Sequence, residues 1–375
     1  MYSRSILFRR AENRTNRRTR RDRRKGQRKL LLEMLEDRRL LASFLDANPT
    51  LSIDLNAASE NVALVSNGTS YTLTLNGANT WTGANTANVT GNGTGTLTVT
   101  AAGLAAFNTV NITDSASGCA VTFGNSGANA YSDDFNIVLD NSPAGQITFN
   151  GASSFGTSSL SASTMAGLVV SSGATVTASS PVTLAADSMD IQGTITSNGG
   201  ITLQPATPSR TIGLNSGTGD FNLTLVELGN LASTGTVTIG RSGGTGAITI
   251  GSTAAVNLAT EDYGLTLRGG DATFSRYLQL ASGKTVELQT GAVASAAGSS
   301  ADITAGTVVL NTSGAVGASN NPLSLAVDSL QGTANGSVYV SESNSLTISG
   351  PLSAGANTIQ LNSGTFALGA SNLLD

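Results

Sequence analysis

The side chains of this chain that are able to move protons or hold ions are few and scattered. Beyond residue 47 the candidate carboxylates are Asp133-Asp134, Asp187 with Asp190, Glu261-Asp262 and Asp302. Cleaving a polysaccharide takes a converging pair of carboxylates or a carboxylate cluster with Ca²⁺, or else an Arg or Lys beside the reacting carbon. Adjacent residues on a strand point to opposite faces, so Asp133-Asp134 and Glu261-Asp262 make poor pairs. Asp187 and Asp190, three apart, also fall on opposite faces of a strand, and a solvated corner is the expectation for them. Asp133-Asp134 and Glu261-Asp262, close to Tyr131 and Tyr263, read as turn or corner residues.

The chain has no histidine, which removes Ser-His-Asp and Cys-His catalysis and His-ligated zinc. Its one cysteine, Cys119, forms no intramolecular disulfide and reads as a small buried hydrophobe. No phosphate-cradling loop or dinucleotide fingerprint is present, and Gly269-Gly270-Asp271 is a single fragment of a Ca²⁺-binding glycine repeat. The expectation is therefore no catalytic residue, no cofactor and no metal. Trp81, in Asn79-Thr80-Trp81-Thr82-Gly83, is the one candidate ligand contact, a platform on which a sugar ring could stack. The commoner role of a lone Trp near the first strands is to fill a cap.

Charge divides the chain in two. The first 40 residues hold 15 of the 20 Lys and Arg against five acids, while the remainder carries 19 acids against Arg210, Arg241, Arg268, Arg276 and Lys284. The head is about +10 and the body about −14. A block such as Arg17-Arg18-Thr19-Arg20-Arg21 repels itself and is expected to be disordered when free. Three roles compete for it: the positive region of an export signal, a nucleic-acid arm, and a solvated tail. A short leucine-rich stretch with helix-favouring spacing follows, with Leu31 and Leu35 on one face.

After residue 47 the pattern changes to short alternating strands. Tyr71-Thr72-Leu73-Thr74-Leu75, Thr96-Leu97-Thr98-Val99-Thr100 and Leu346-Thr347-Ile348 are examples, separated by Asn67-Gly68, Asn76-Gly77, Asn198-Gly199-Gly200 and Gly243-Gly244. No helical period is evident there; Ala101 to Ala106 is at most one turn. Apolar pairs begin at Ile201, Ile212, Val237, Ile248, Val256, Leu265, Leu278, Val286, Val308, Leu323, Val338, Leu346 and Ile359, and most neighbours lie 8 to 15 residues apart. Three strands per turn give coils of about 20–30 residues. A two-sheet sandwich is the competing architecture. An all-β, right-handed parallel β-helix (solenoid) is favoured, because the pattern continues over 300 residues at uniform composition and the aromatic share is only 5%. At about 22 residues per coil the body would hold about 14 or 15 coils and reach about 70 Å. The expected divisions are a basic targeting segment with a short helix over 1–47, a β-repeat region with a cap over 48–190, the cap itself near 48–70, and β-helix repeats over 191–375. The lack of a cap signal at Asp375 leads to the expectation that further sequence follows.

Two resemblances bear on function. Leu35-Glu36-Asp37-Arg38-Arg39-Leu40-Leu41-Ala42 resembles the LEPR-XLL signature near the N-terminus of very large bacterial surface proteins, with Asp37 where that consensus has Pro. The resemblance implies a targeting role for Leu35, Glu36, Asp37, Arg38, Leu40, Leu41 and Ala42, engagement of export machinery through residues 1–42, and processing near Ala42. It favours the export reading of the head over nucleic-acid binding. Gly314 to Leu323, Leu325 to Leu330, Asn335 to Glu342 and Leu346 to Ile348 resemble the coil unit of filamentous-haemagglutinin-type and autotransporter-passenger β-helices. That likeness covers residues 190–375 well and 70–190 loosely. It implies an extracellular or cell-surface location, a stalk or adhesin-like role without catalysis, and surface glycans or other cell-surface proteins as partners, with no nucleic acid. No apolar run of 18 residues exists, so no transmembrane helix is expected. The runner-up function is a polysaccharide-active lyase or glycoside hydrolase. Three or more carboxylates, or an arginine, converging in one groove would favour that enzyme and sink the display reading.

Overall fold

A computed structural model describes residues 41–124, 127–216, 218–252, 254–296 and 301–368. The basic head, its expected short helix and most of the Leu35–Ala42 motif lie outside the described residues. The described chain forms the parallel β-solenoid expected from the strand pattern, with about 11 turns.

The core is a set of stacked columns. The longest runs unbroken through 13 rungs: Leu51, Val110, Phe135, Leu160, Val182, Ile201, Val237, Leu265, Val286, Val308, Leu330, Ile348 and Leu368, all buried except Leu368 at the end. Each residue sits in parallel register on the one before, so the backbone of each coil hydrogen-bonds to the coils on either side. A second column stacks Val62, Val121, Ile147, Leu168 and Met189. A third stacks Asn129, Ser153, Val176, Ile195 and Leu231. Alternation decides which residues face inward. In Thr50–Leu55 the apolar Leu51, Ile53 and Leu55 are buried and the polar residues between them are partly exposed.

The turn count falls below the 14 or 15 expected, for two reasons. The stretch between Leu55 and Thr109 is largely spent on an end cap rather than on coils. The coil from Ile201 to Val237 also carries extra structure: the strand Phe221–Leu223, which doubles back parallel to Ile212–Leu214, and the helix Leu225–Gly229. That helix corrects the expectation of a helix-free body. Its signal was present as a capping box, in which Thr224 Oγ1 accepts from Glu227 N while Glu227 Oε2 accepts from Thr224 N. Ala101–Ala106 is likewise helical, with Thr100 as its N-cap.

The cap is antiparallel. Ser43–Ala47 pairs with Thr50–Leu55, and Asn61–Ser66 pairs with Tyr71–Leu75, which in turn pairs with Thr96–Val99. Thr50–Leu55 and Asn61–Ser66 also stack in parallel on Thr109–Asp114 and Ala120–Phe123. Residues 48–66 are thus the first coil, and the hairpins around them cover it, which removes an open edge. The body accordingly begins at residue 41 rather than 48, since Ser43–Ala47 is one of its strands. Nor is there a division at 190, because the strand Val182–Ile191 runs through that position. Beside the cap lies an aromatic cluster in which Phe123 stacks on Phe149 at 4.9 Å and Tyr131 on Phe155 at 5.1 Å. Among the described residues no helix is long and apolar enough to cross a membrane.

Candidate functional site

The carboxylates singled out in the sequence do not come together. Asp133 is buried and its Oδ2 accepts from Tyr71 Oη at 2.6 Å, while its neighbour Asp134 is exposed and accepts from Ser159 N at 2.6 Å. Asp302 is buried and accepts from Ser295 Oγ at 2.9 Å and Ser324 N at 2.8 Å. Glu261 accepts from Thr260 Oγ1, and the exposed Asp262 pairs with Lys284. Asp187 and Asp190 do point apart, but Asp187 is no solvated corner. It is buried, accepts from Thr207 N and Thr207 Oγ1 at 2.7 Å each, and pairs with Arg210 Nε at 3.2 Å. Asp133, Asp134, Asp187, Asp262 and Asp302 each tie one coil or corner to another, whereas, among the described residues, Glu261 bonds only its neighbour Thr260 and Asp190 bonds Gln192. Among the described residues no group of three His, Cys, Asp or Glu is placed to hold a metal ion.

Trp81 is corrected as a ligand contact. Its side chain is fully buried in the cap and its indole N–H donates to Leu73 O at 3.2 Å. A ring with no exposed face offers a sugar nothing to stack on. Ala42 is also fully buried, its N–H donating to Glu60 Oε1 at 3.1 Å and its carbonyl accepting from Thr82 N at 2.8 Å. A protease therefore reaches Ala42 only before the cap folds. Burial raises the Glu60 carboxyl above its ordinary value, and it does the same for Asp133, Asp114 and Glu342. Cys119 is a buried free thiol, pushed up to about 11 by desolvation.

Sequence reasoning missed the site that the solenoid does assemble. On the outer side of the long column, a groove of about 340 Å³ crosses successive coils. Arg268 lies in register between Gly240 and Gln289, and Asn311 lies in register with Thr333. Leu288 pairs with Leu310, so Gln289 and Asn311 follow as neighbours, and the four side chains form one polar column. Arg241 and Asn335 stand at the groove's two ends along the chain. The groove's position follows from how each strand ends. An inward Leu at 267, 288 or 310 is followed by an outward polar residue, and then the chain turns the corner.

The electrostatics of this groove differ from the rest of the body. Arg210 and Lys284 are held in ion pairs, whereas Arg241 and Arg268 have no carboxylate within ion-pair distance among the described residues. Arg268 Nε donates to Gln289 Oε1 at 2.7 Å, and an Arg241 Nη1–H donates to Ala206 O. Glu287 flanks the column, with one oxygen accepting from Gln289 Nε2 at 2.7 Å and the other from Thr266 Oγ1 at 3.1 Å. Thr290, in the groove wall, is buried and its Oγ1 has no hydrogen-bond partner. Such a group carries a penalty of about 1–3 kcal/mol. The arginine condition for an enzyme is thus met and the carboxylate condition is not. A guanidinium stays charged at any working pH, so it binds and orients an anion. Nearby, Glu287 accepts one hydrogen bond at each carboxylate oxygen.

The signal that could have found it is the coil period. Arg268, Gln289, Asn311 and Thr333 recur at steps of 21 or 22 residues. Counting five bases in the body says nothing about two of them meeting. No protein-family model matches this chain, and neither a curated protein nor a solved structure matches it.

Proposed function

We propose that this chain is an exported, non-enzymatic β-solenoid segment of a cell-surface protein, serving as a stalk or adhesin-like passenger. The observation that carries the reading is the unbroken 13-rung column from Leu51 to Leu368, which begins on a covered first coil. A continuously hydrogen-bonded column resists bending, so its natural work is to hold corner loops away from a surface. Low charge in the body fits the same role, because equivalent positions stack about 4.8 Å apart and like charges there would repel. The basic head and the Leu35–Ala42 motif support export through residues 1–42, with surface glycans or cell-surface proteins as partners. Fractionation with N-terminal sequencing tests this. Chain recovered from the cell surface or medium is the expected outcome, and intact Met1 confined to the cytosol overturns it.

One observation favours a second reading, a polysaccharide-active enzyme: Arg241 and Arg268 meet in one groove beside Glu287. Incubation with acidic and neutral polysaccharides, read by new reducing ends and by absorbance of unsaturated ends, separates the two. Turnover that disappears in Glu287→Gln establishes the enzyme and removes the display reading.

A further inference from the structure

The geometry points to the Arg241–Asn335 groove as a binding site for an extended acidic polysaccharide, a polyuronate in which carboxylates recur at low density along a hydroxyl-rich chain. This deepens the display reading by naming the ligand class of one face of the rod.

Shape is the first argument. The groove spans the coils of Arg241, Arg268, Gln289, Asn311 and Thr333, so it runs for about 19 Å along the stacking direction. It is open along its length, and its wall repeats one polar residue per coil. A repeating wall suits a repeating ligand.

Lining chemistry is the second. Every side chain that lines the groove is an arginine, an amide or a hydroxyl, and glycine fills the remaining places. Pockets for compact organic ligands are mostly apolar and aromatic, which this one is not. The exposed Asn311, Thr333 and Asn335 each offer a donor and an acceptor, the pattern that sugar hydroxyls satisfy in either orientation, while the Gln289 amide is already bonded to Arg268 and Glu287.

Charge is the third. Arg241 and Arg268 are the body's guanidiniums without an acidic partner in this groove, and each has N–H groups beyond the single bond that it makes to the protein. A guanidinium fork matches a carboxylate in bidentate fashion. Two such forks on an acidic body favour sparse anions. Nucleic acid, with a charge on every residue, calls for many cations and stacking rings, and the groove has no ring. An acidic peptide would leave most of the hydroxyl and amide wall unused.

The test is calorimetric titration of the full chain with polygalacturonate oligomers, polyglutamate and neutral dextran. It is run in about 0.3 M salt, which weakens the many-contact binding of the basic head more than a two-contact site. The parent is compared with the Arg241→Gln/Arg268→Gln double variant and with Asn311→Glu, which puts a carboxylate at an exposed position in mid-groove. Polygalacturonate affinity is expected to fall about tenfold or more in both variants, with dextran binding absent or unchanged. If the double variant loses its β-sheet circular dichroism, Asn311→Glu decides alone. Equal polygalacturonate affinity in parent and variants, or no binding by the parent, overturns the site. A polyglutamate loss as large as the polygalacturonate loss overturns the ligand class. Binding in solution does not depend on where the chain resides, so this inference and the export reading fail separately.

Discussion

Single residues set the local limits of this structure. Gly240 has φ +94° and lies beneath Arg268, where an added Cβ would collide with Arg268 O. Gly240→Ala is expected to cost at least about 2 kcal/mol, from backbone strain plus the displaced coil, and to lower polygalacturonate affinity as well. Thermal denaturation and the same titration check both parts. Trp81 is the only tryptophan, which makes it a clean probe. Its emission is expected to be blue-shifted and poorly quenched by acrylamide, and Trp81→Ala should lose about 3–5 kcal/mol of cap stability without touching groove binding. An exposed, readily quenched indole would contradict its place in the cap.

At the scale of elements, a short strand such as Thr50–Leu55 contributes three inward residues, and its stability is borrowed from its stacked neighbours. Leu265 is 1% exposed and has Val237 below and Val286 above. Leu265→Ala is expected to cost about 2–5 kcal/mol, since the stacked backbones on both sides prevent the cavity from collapsing. Hydrogen exchange should show the loss of protection centred on Thr236–Gly240, Gly264–Arg268 and Thr285–Gln289 and fading towards the cap, as nearest-neighbour coupling requires. Uniform loss along the whole rod would mean that coils are coupled far more widely. The helix Leu225–Gly229 belongs to this scale too. Glu227 closes its capping box and also accepts from Ile191 N at 3.1 Å, so one side chain joins the helix to the neighbouring coil.

For the molecule as a whole, buried acids make stability depend on pH. Glu60, Asp114, Asp133 and Glu342 are all raised by desolvation, so the folded chain holds protons that the unfolded chain has released. The sign follows from linkage: where the folded state binds more protons, stability falls as pH rises. The contribution is fully present below the unfolded carboxyl value of about 4 and is lost as pH climbs through the raised folded values. The net negative body adds repulsion in the same direction. Melting temperature is therefore expected to be higher near pH 4.5 than at pH 7.5, and Glu60→Gln with Glu342→Gln should flatten the slope. A melting temperature that rises with pH would show that the backbone donors around these carboxylates outweigh burial.

Much of this architecture was written in local pattern. Alternating Leu, Ile, Val and Thr between Asn-Gly and Gly-Gly corners determined that the chain would form short strands. Uniform repetition with few aromatics determined that they would stack as a solenoid rather than close as a sandwich. Both properties are local, because burial alternates within a strand whatever that strand pairs with. Residues such as Asp133 and Asp134 were correctly placed on opposite faces by the same rule. Only the tertiary structure decided what lies beside what between coils. It buried Trp81 and Ala42 in an antiparallel cap, joined Asp187 to Arg210, and used the long interval from Ile201 to Val237 for an extra strand and helix. It also brought Arg241, Arg268, Gln289 and Asn311 into one groove. Neighbours across coils are set by loop lengths summed over each turn: the 21- and 22-residue steps from Arg268 to Asn311 are regular enough to read, but the steps before them drift, so Arg241 joins that column only once the coils are stacked.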